Sequence, residues 1–262
     1  MSAGHHRTTS WLSSRPEPVS GSTVVHRLAT EVKIVAAVSF VLIVALTPPR
    51  APLGFAGHAL AITAVAAMAR LSPTQVLKRL MVVMPFLASA ALLPLVAGGE
   101  QTRVAWLAVS VEGLWASSSI AAKTLIGAMT SIVLTSTTST TEIVAGLGRL
   151  GLPKTLVAIA AFMLRYLDLM VAELGRRRTA MTARAYRPRW LWQAKPVATS
   201  MGTMFVRSYE RGERVHSAML SRGFTGAMPT LTTVSPDGAQ WLMGALLPVA
   251  ALAALSVGWL LR

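Results

Sequence analysis

GAQWLMGALLPVAALAALSVGWLL, residues 238–261, is a stretch without a single charged side chain. A helix needs about 20 mostly apolar residues to cross the hydrocarbon core of a bilayer, so this stretch predicts a membrane-spanning helix. The composition agrees, because 53% of the 262 residues are hydrophobic and only 13% are charged. A soluble domain usually carries about 25% charged residues. The chain is therefore predicted to be an all-α membrane protein.

Four further spans are predicted upstream of this stretch, which makes about five in all. The five predicted spans are residues 28–46, 51–69, 80–99, Val111–Thr137 and 238–261. In the first span Lys33 is expected to snorkel to the lipid headgroups, and in the second His58 is expected to face the interior of the bundle. Pro85 and Pro94 predict kinks within the third.

The basic residues predict how these spans are oriented. Fourteen of the 25 Lys and Arg residues lie between Arg149 and Arg222. Because Lys and Arg accumulate in cytoplasmic loops, five spans with a cytoplasmic N-terminus place this segment in the cytosol and the C-terminus outside the cell membrane. Residues 1–27, rich in Ser and Thr and without an apolar signal region, are predicted to be a disordered cytosolic tail.

The predicted organisation has four parts. The tail is followed by a membrane domain of four helices at 28–141, a cytoplasmic segment at 142–225, and a linker with the last span at 226–262. In the cytoplasmic segment we expect a short helix at 142–153 and two long helices at 154–186 and 196–224. A sixth span over the apolar first half of residues 154–186 is the alternative, but it would move the basic residues that follow it to the outside.

Each long helix is expected to end in a similar phrase, TAMTARAY at 179–186 and SAMLSRGF at 217–224. Arg184 and Arg222 would then project from helix C-termini, where the helix dipole favours cations. A guanidinium offers five donors to carboxylates and main-chain carbonyls, and small neighbours let a partner approach. Ser208 and Gly212 place small side chains in the apolar stripe of the second helix, which would allow two helix backbones to cross closely.

On these phrases the chain resembles the transmembrane T component of energy-coupling factor (ECF) transporters, in particular the CbiQ branch associated with cobalt uptake. The resemblance covers most of the chain and is most specific in MFVRSYERGERVHSAMLSRGFTG, residues 204–226. The family carries an Ala-Arg-Gly signature at the end of each of two coupling helices. The candidate ATPase-coupling residues by this resemblance are Ala183, Arg184, Ala185, Ser221, Arg222 and Gly223. Ala185 departs from the pattern, because the family has glycine there.

The resemblance implies a coupling subunit without enzymatic activity or a cofactor. Two cytosolic ABC ATPases would each accept one helix end. The membrane helices and the apolar faces of the coupling helices would hold a substrate-binding S component, CbiM-like or other. We expect membrane lipid but no nucleic acid among the partners, because the net charge of +15 accompanies long apolar runs and not a soluble basic surface.

Three other functions were weighed against this one. A membrane enzyme would need convergent acids, bases or metal ligands, and His58, Glu112 and Lys123 are scattered over two predicted spans without the spacing of a known catalytic motif. A conventional ABC importer permease usually offers one coupling helix per subunit, whereas this chain has two arginine-tipped ends. A vitamin-specific or shared T component remains open, because the S component selects the substrate in this family.

Overall fold

The computed structural model describes residues 23–96, 101–104, 107–186, 190, 194–226 and 236–260. The chain folds into two units. Unit 1 comprises Met1–Gly146 and Val234–Arg262, and unit 2 comprises Leu147–Thr233. Each unit has its own internal contacts.

Helices account for nearly all of the described part of unit 1. They are α1 (Val24–Arg27), α2 (Thr30–Leu46), α3 (Pro52–Met68), α4 (Pro73–Leu80), α5 (Met84–Ala91), α6 (Leu93–Val96), α7 (Val111–Thr137) and α11 (Gly238–Leu260), and α8 (Thr140–Arg149) begins there. Two short strands, β1 (Gln101–Val104) and β2 (Leu107–Ser110), pair antiparallel ahead of α7. This hairpin was not predicted from the sequence.

Three described helices are long and apolar enough to cross a membrane: α7, α11 and α9 (Lys154–Ala183). The first two coincide with predicted spans. The helices α2 and α3 also coincide with predicted spans, but each has 17 residues, the lower limit for crossing a bilayer. The helix α9 belongs to the segment predicted to be cytoplasmic, so the alternative of a sixth span has the required length and apolarity.

The predicted third span, 80–99, is not one continuous helix over its described residues. A 3₁₀ turn at Met81–Val83 separates α4 from α5, and a further turn at Leu92 separates α5 from α6. Pro85 and Pro94 each lie in the first turn of the helix that follows a break. Proline has no backbone N–H to continue a helix, but it fits a first turn well, so the chain restarts at these residues and does not merely kink.

The end of the predicted disordered tail is helical. Helix α1 covers four of its residues, and the Oγ1 of Thr23 lies 2.6 Å from the Nδ1 of His26. Val25 is buried, so packing holds this turn in place. Residues 1–22 of the predicted tail lie outside the described residues.

The core of unit 1 lies among α2, α3, α7 and α11. Its buried apolar residues are Phe40, Ile43, Val44, Phe55, Ile62, Ala66, Ile126, Val133 and Ala251. His58 is fully buried beside this core, with Nε2 3.0 Å from the Oγ1 of Thr47, which confirms its predicted interior position.

Small residues bring α11 close to α2 and α3. A Cβ added to Gly244 on α11 would overlap the Cγ1 of Val32 on α2, and one added to Gly57 on α3 would lie 2.8 Å from the Cβ of Ala254. Close backbone approach at glycine and alanine is the usual way in which membrane helices gain packing energy without a hydrophobic driving force.

Lys33 does not snorkel to the surface. Its side chain is buried, and Nζ donates at 3.2 Å each to the carbonyl oxygens of Thr137, at the end of α7, and of His26. Lys123 on α7 in turn donates to the carbonyl oxygen of Ala45, near the end of α2, at 2.8 Å. Each helix thus places an ammonium at the negative C-terminal end of the other, and for Lys33 this offsets the cost of burying the charge.

Unit 2 contains the end of α8, then α9 and α10 (Lys195–Leu220). At the start of α8 the N–H of Glu142 donates to the Oγ of Ser139 at 3.3 Å, and the N–H of Ser139 donates to the Oε2 of Glu142 at 3.0 Å, which is a capping box. Ala158 is the one buried residue of α9, and α10 has none among its described residues. The long helices of unit 2 therefore contribute little to a closed core.

Candidate functional site

Backbone hydrogen bonds close the end of α9 in a tight turn. The N–H of Ala185 donates to the carbonyl oxygen of Thr182 at 3.0 Å, and the N–H of Tyr186 donates to that of Met181 at 3.1 Å. Ala185 has a positive φ of 58°. This combination is a Schellman motif, in which a left-handed residue ends the helix and two bonds satisfy its last carbonyls.

The end of α10 has the same turn. The N–H of Gly223 donates to the carbonyl oxygen of Leu220, and the N–H of Phe224 donates to that of Met219, both at 3.0 Å. Gly223 has a φ of 80°, in the same left-handed region as Ala185. The two helix ends therefore share one backbone conformation, although one has alanine where the other has glycine.

The shared turn explains most of the repeated phrase. At each end the carbonyl oxygen of the methionine accepts a hydrogen bond from the backbone N–H of the aromatic residue. The small residue before the aromatic one, Ala185 or Gly223, takes the left-handed conformation. The Met and aromatic positions are half-buried at both ends, in keeping with the apolar contact that usually accompanies this motif. Three of the recurring residue types thus have a structural reason within the chain.

The turn does not explain why an arginine recurs in both phrases. Arg184 and Arg222 occupy the residue before the left-handed turn, where any side chain fits, and both are exposed. Neither guanidinium has a hydrogen-bond or ion-pair partner among the described residues. Within the chain, each arginine can still interact favourably with the helix dipole, which contributes about 0.3–1 kcal/mol at an exposed site.

The candidate ATPase-coupling residues lie at the ends of α9 and α10. Ala183 is the last residue of α9, followed by Arg184 and Ala185, and Ser221, Arg222 and Gly223 follow the last residue of α10. The alanine at 185 does not alter the turn, although a left-handed conformation costs a non-glycine residue about 1–2 kcal/mol.

Polar side chains join α9 to α10. Glu173 on α9 accepts a hydrogen bond from Arg177 at 2.9 Å and lies 3.9 Å from Arg211 on α10. Arg177 also donates at 3.0 Å to the carbonyl oxygen of Ser200. Glu173 is a residue that the predictions from the sequence did not single out. Its i,i+4 spacing to Arg177 is the signal that could have indicated an ion pair.

Ser208 and Gly212 were expected to allow a close helix crossing. Ser208 contacts α9, because its Oγ lies 3.2 Å from the Sδ of Met170. A Cβ added to Gly212 would have no atom within 4 Å, so this glycine does not lie at a close contact between α9 and α10. No described residue of unit 2 therefore packs against the backbone at Gly212.

An open, mainly apolar groove of about 540 Å³ runs between α9 and α10, and we call it the coupling groove. Its lining includes Phe162, Tyr166, Met170, Ser208, Arg211, Gly212, Val215 and Met219. Both small residues of the α10 stripe thus line this groove. Glu210 and Arg214, 3.9 Å apart, form an i,i+4 ion pair on α10 and are not among the lining residues.

The described residues contain no group of three His, Cys, Asp or Glu side chains that could hold a metal ion. The candidate site in unit 2 consists of two exposed guanidinium groups, those of Arg184 and Arg222, and the coupling groove.

Comparison with known proteins places these features in a family. The CbiQ family, described as cobalt transport protein, matches residues 21–233, which include both helix ends and the coupling groove. The chain is 30% identical over 131 residues to the cobalt transport protein CbiQ of Rhodobacter capsulatus, covering 49% of this chain and 52% of the relative. It is 23% identical over 221 residues to a putative fused cobalt transport protein CbiMQ of Methanocorpusculum labreanum, covering 81% of this chain and 37% of that protein.

The chain thus spans about half the length of the first relative and little more than a third of the second. Its long apolar helices and the family match make it a multi-pass membrane protein, in a family of transport proteins and not of enzymes. The chain belongs to the CbiQ cobalt transport protein family.

Proposed function

We propose that this chain is the transmembrane coupling subunit of an ECF-type importer, which takes up cobalt or nickel. The observation that carries the proposal is that Arg184 and Arg222 recur at two matching helix ends although neither is needed by the turn that it precedes. An exposed guanidinium without a partner in its own chain is suited to bind carboxylates and carbonyls on another protein.

In this proposal each arginine enters a surface groove of one cytosolic ABC ATPase. The chain has no GxxxxGK[ST] phosphate-binding motif, so ATP binds to the partners. When ATP brings the ATPases together, they move the two helix ends. The ion-pair network of Glu173, Arg177 and Arg211 links α9 to α10, so movement of one helix pulls on the other.

The proposal requires unit 2 to lie in the cytosol, together with the N-terminus. The helix α9 is long enough to cross a membrane, but a crossing would move most of the basic residues between Arg149 and Arg222 to the outside. Such a distribution would oppose the usual excess of Lys and Arg on the cytoplasmic side. We therefore place α9 along the cytoplasmic surface, with its apolar face toward lipid or a membrane partner.

The proposed membrane partner is a substrate-binding S component of the CbiM type. The name of the Methanocorpusculum protein, CbiMQ, describes a fusion, and two proteins that act together are often found fused. Movement of the coupling helices would reorient this component, which carries the metal ion as cargo. The identity of the cargo rests on the names of the relatives.

Reversing both charges tests the proposal directly. The double variant Arg184→Glu, Arg222→Glu should reduce uptake of radiolabelled cobalt to background in cells that express the whole transporter, because two guanidinium contacts become repulsive. Membrane insertion should be unchanged. The matched control is Arg207→Glu, Arg214→Glu, which makes the same change of charge at two exposed residues of α10 away from its end.

Undiminished uptake in the double variant would contradict the proposal. The purified complex provides a second measurement, since two ATPases should accompany each copy of this chain. A ratio of one ATPase per copy would instead indicate a conventional ABC permease.

A further inference from the structure

We propose that α8 is the mechanical link of the transport cycle, which carries movement of α9 to α2 and so into the membrane bundle. The inference rests on the proposed function for the source of that movement, the two ATPases. It adds the path that the movement takes within this chain, and it assigns Gly146 and Gly148 as the positioning residues of the link.

Both ends of α8 are closed by hydrogen bonds. The capping box described above closes its start. At its end, the N–H of Gly151 donates to the carbonyl oxygen of Gly148 at 3.2 Å. The N–H of Leu152 donates to the carbonyl oxygen of Leu147, also at 3.2 Å, and Gly151 has a φ of 99°, so this end is a Schellman motif. A helix with satisfied ends resists fraying, as a link that transmits movement must.

One face of α8 packs tightly against α2. A Cβ added to Gly146 would lie 2.9 Å from the Cγ2 of Thr30 and 3.2 Å from the Cδ1 of Ile34, so the contact depends on glycine. Lys33 on α2 also donates at 3.2 Å to the carbonyl oxygen of Thr137, three residues before α8 begins. α2 thus contacts the chain just before α8 and again at Gly146, so a displacement of α8 would displace α2.

The opposite face of α8 packs against α9. Gly148 lies two residues after Gly146, which turns its position by about 200° around the helix axis. A Cβ added to Gly148 would lie 3.2 and 3.3 Å from the two Cγ atoms of Val157 on α9. Gly146 is the last residue of unit 1, and Gly148 belongs to unit 2.

Tight packing on two opposite faces makes α8 suited to transmit movement. Closely packed contacts have low compressibility and transmit strain, whereas a loose contact would absorb it. Energetic coupling between distant parts of a protein is carried by such packed contacts and rigid elements. In α8 the two contacts lie on a single helix, so movement of α9 reaches α2 without a flexible segment between them.

Uptake and ATP hydrolysis, measured with the complete transporter in proteoliposomes, test this inference. Gly148→Ala should reduce cobalt uptake about fivefold or more, because the added methyl group separates α9 from α8. ATP hydrolysis should be unchanged, because Arg184 and Arg222 are intact. The matched control Gly175→Ala adds a methyl group to α9 where it meets no atom within 4 Å, and it should change neither rate.

Second substitutions at the facing residues should restore uptake. Val157→Ala removes both Cγ atoms and leaves its Cβ 3.8 Å from the added group, which is an ordinary contact. The double variant Gly148→Ala, Val157→Ala should therefore recover most of the uptake. On the other face, Gly146→Ala should lower uptake in the same way, and adding Thr30→Ser, which removes the Cγ2, should recover part of it.

A distance measurement follows the movement itself. The chain has no cysteine, so spin labels can be attached at Thr141→Cys on α8 and Ile159→Cys on α9, both exposed. Pulsed electron paramagnetic resonance on the complete transporter should give the same distance with and without a non-hydrolysable ATP analogue. In the Gly148→Ala background the distance should change with the analogue, because α9 then moves without α8.

Three results would overturn the inference. They are undiminished uptake in Gly148→Ala, a parallel loss of uptake and ATP hydrolysis, which would indicate a general loss of structure, and a wild-type distance that changes with the analogue. Undiminished uptake in the double variant Arg184→Glu, Arg222→Glu would instead contradict the proposed function. If that double variant is inactive and Gly148→Ala is fully active, only the present inference fails.

Discussion

Several glycines of unit 1 are covered by neighbouring helices, whereas the glycines within α9 and α10 are not. In unit 1, a Cβ at Gly244 would overlap Val32, and one at Gly258 would lie 3.1 Å from the Cβ of Ala51. In unit 2, a Cβ at Gly175 or Gly212 would have no atom within 4 Å. Helices of unit 1 thus touch at their backbones, whereas α9 and α10 are linked by side chains.

This difference separates two uses of the same residue type. Where glycines are covered by neighbouring helices, the chain itself uses the close approach, and the result is a packed bundle. Where a glycine on an apolar stripe faces open space, another molecule can approach the helix backbone closely. Unit 1 is therefore a closely packed bundle, and unit 2 leaves the glycines of its two long helices uncovered.

The largest expected effect is at Gly244. Gly244→Leu should lower the free energy of unfolding by about 3 kcal/mol or more, because the side chain would have to displace α2. Unfolding by sodium dodecyl sulfate, followed by circular dichroism, measures this change. Gly212→Leu is the matched control and should not lower the free energy of unfolding, because its Cβ would meet no atom within 4 Å and leucine favours a helix over glycine. Equal destabilisation by both substitutions would contradict the comparison.

Loss of the buried ammonium of Lys33 should have the next largest effect. Lys33→Met keeps the length of the side chain but leaves the carbonyl oxygens of Thr137 and His26 without this donor. We expect a loss of about 2–3 kcal/mol in the same unfolding measurement. Lys78→Met, at an exposed residue of α4, serves as the control. Equal stability of Lys33→Met and Lys78→Met would mean that the buried bonds contribute nothing.

The two helix ends of unit 2 should respond in opposite directions to exchanging alanine and glycine. Ala185→Gly should slow hydrogen exchange of the Tyr186 amide about fivefold or more, because the left-handed turn loses its strain of about 1–2 kcal/mol. Gly223→Ala should accelerate exchange of the Phe224 amide to a similar extent. Hydrogen exchange read by mass spectrometry or NMR measures both. Changes of the same sign at the two ends would show that the turns are not equivalent.

The smallest expected effect is at Gly212, and it is stabilising. Gly212→Ala should slow amide exchange in the middle of α10 by up to about fivefold, since alanine favours a helix over glycine by about 1 kcal/mol and its Cβ meets no atom. Gly57→Ala in unit 1 makes the same change next to Ala254 and should instead be destabilising. A destabilised α10 would place Gly212 at a contact that the structure does not have.

Helix positions could be predicted well because they depend on local properties. The last span follows from an uninterrupted apolar run, Val111–Thr137 follows from a mainly apolar run that includes Lys123, and the start of α10 follows from Pro196. The break of the third predicted span was missed, because an apolar run with two prolines is compatible with either a kink or a restart. Whether the helix kinks or restarts depends on its packing and hydrogen bonds with other parts of the chain, and a local sequence pattern does not contain this information.

For the candidate site, the sequence predicted the two arginine-tipped ends but not the reason for their likeness. The repeated Met, small residue and aromatic residue could be recognised as a pattern, yet only the backbone bonds identify them as one turn. Gly212 shows the opposite case, because its sequence pattern indicated a helix contact and the structure leaves it facing a groove.

By itself the sequence determined that this is a helical membrane protein, which residues are apolar enough to form its spans, and where two arginines recur. These properties depend on composition and on short-range periodicity. Tertiary structure alone decided which small residues are covered, that Lys33 is buried against the end of α7, and that Glu173 links α9 to α10. These depend on distances between residues far apart in the chain, since packing and electrostatic energies change steeply with separation.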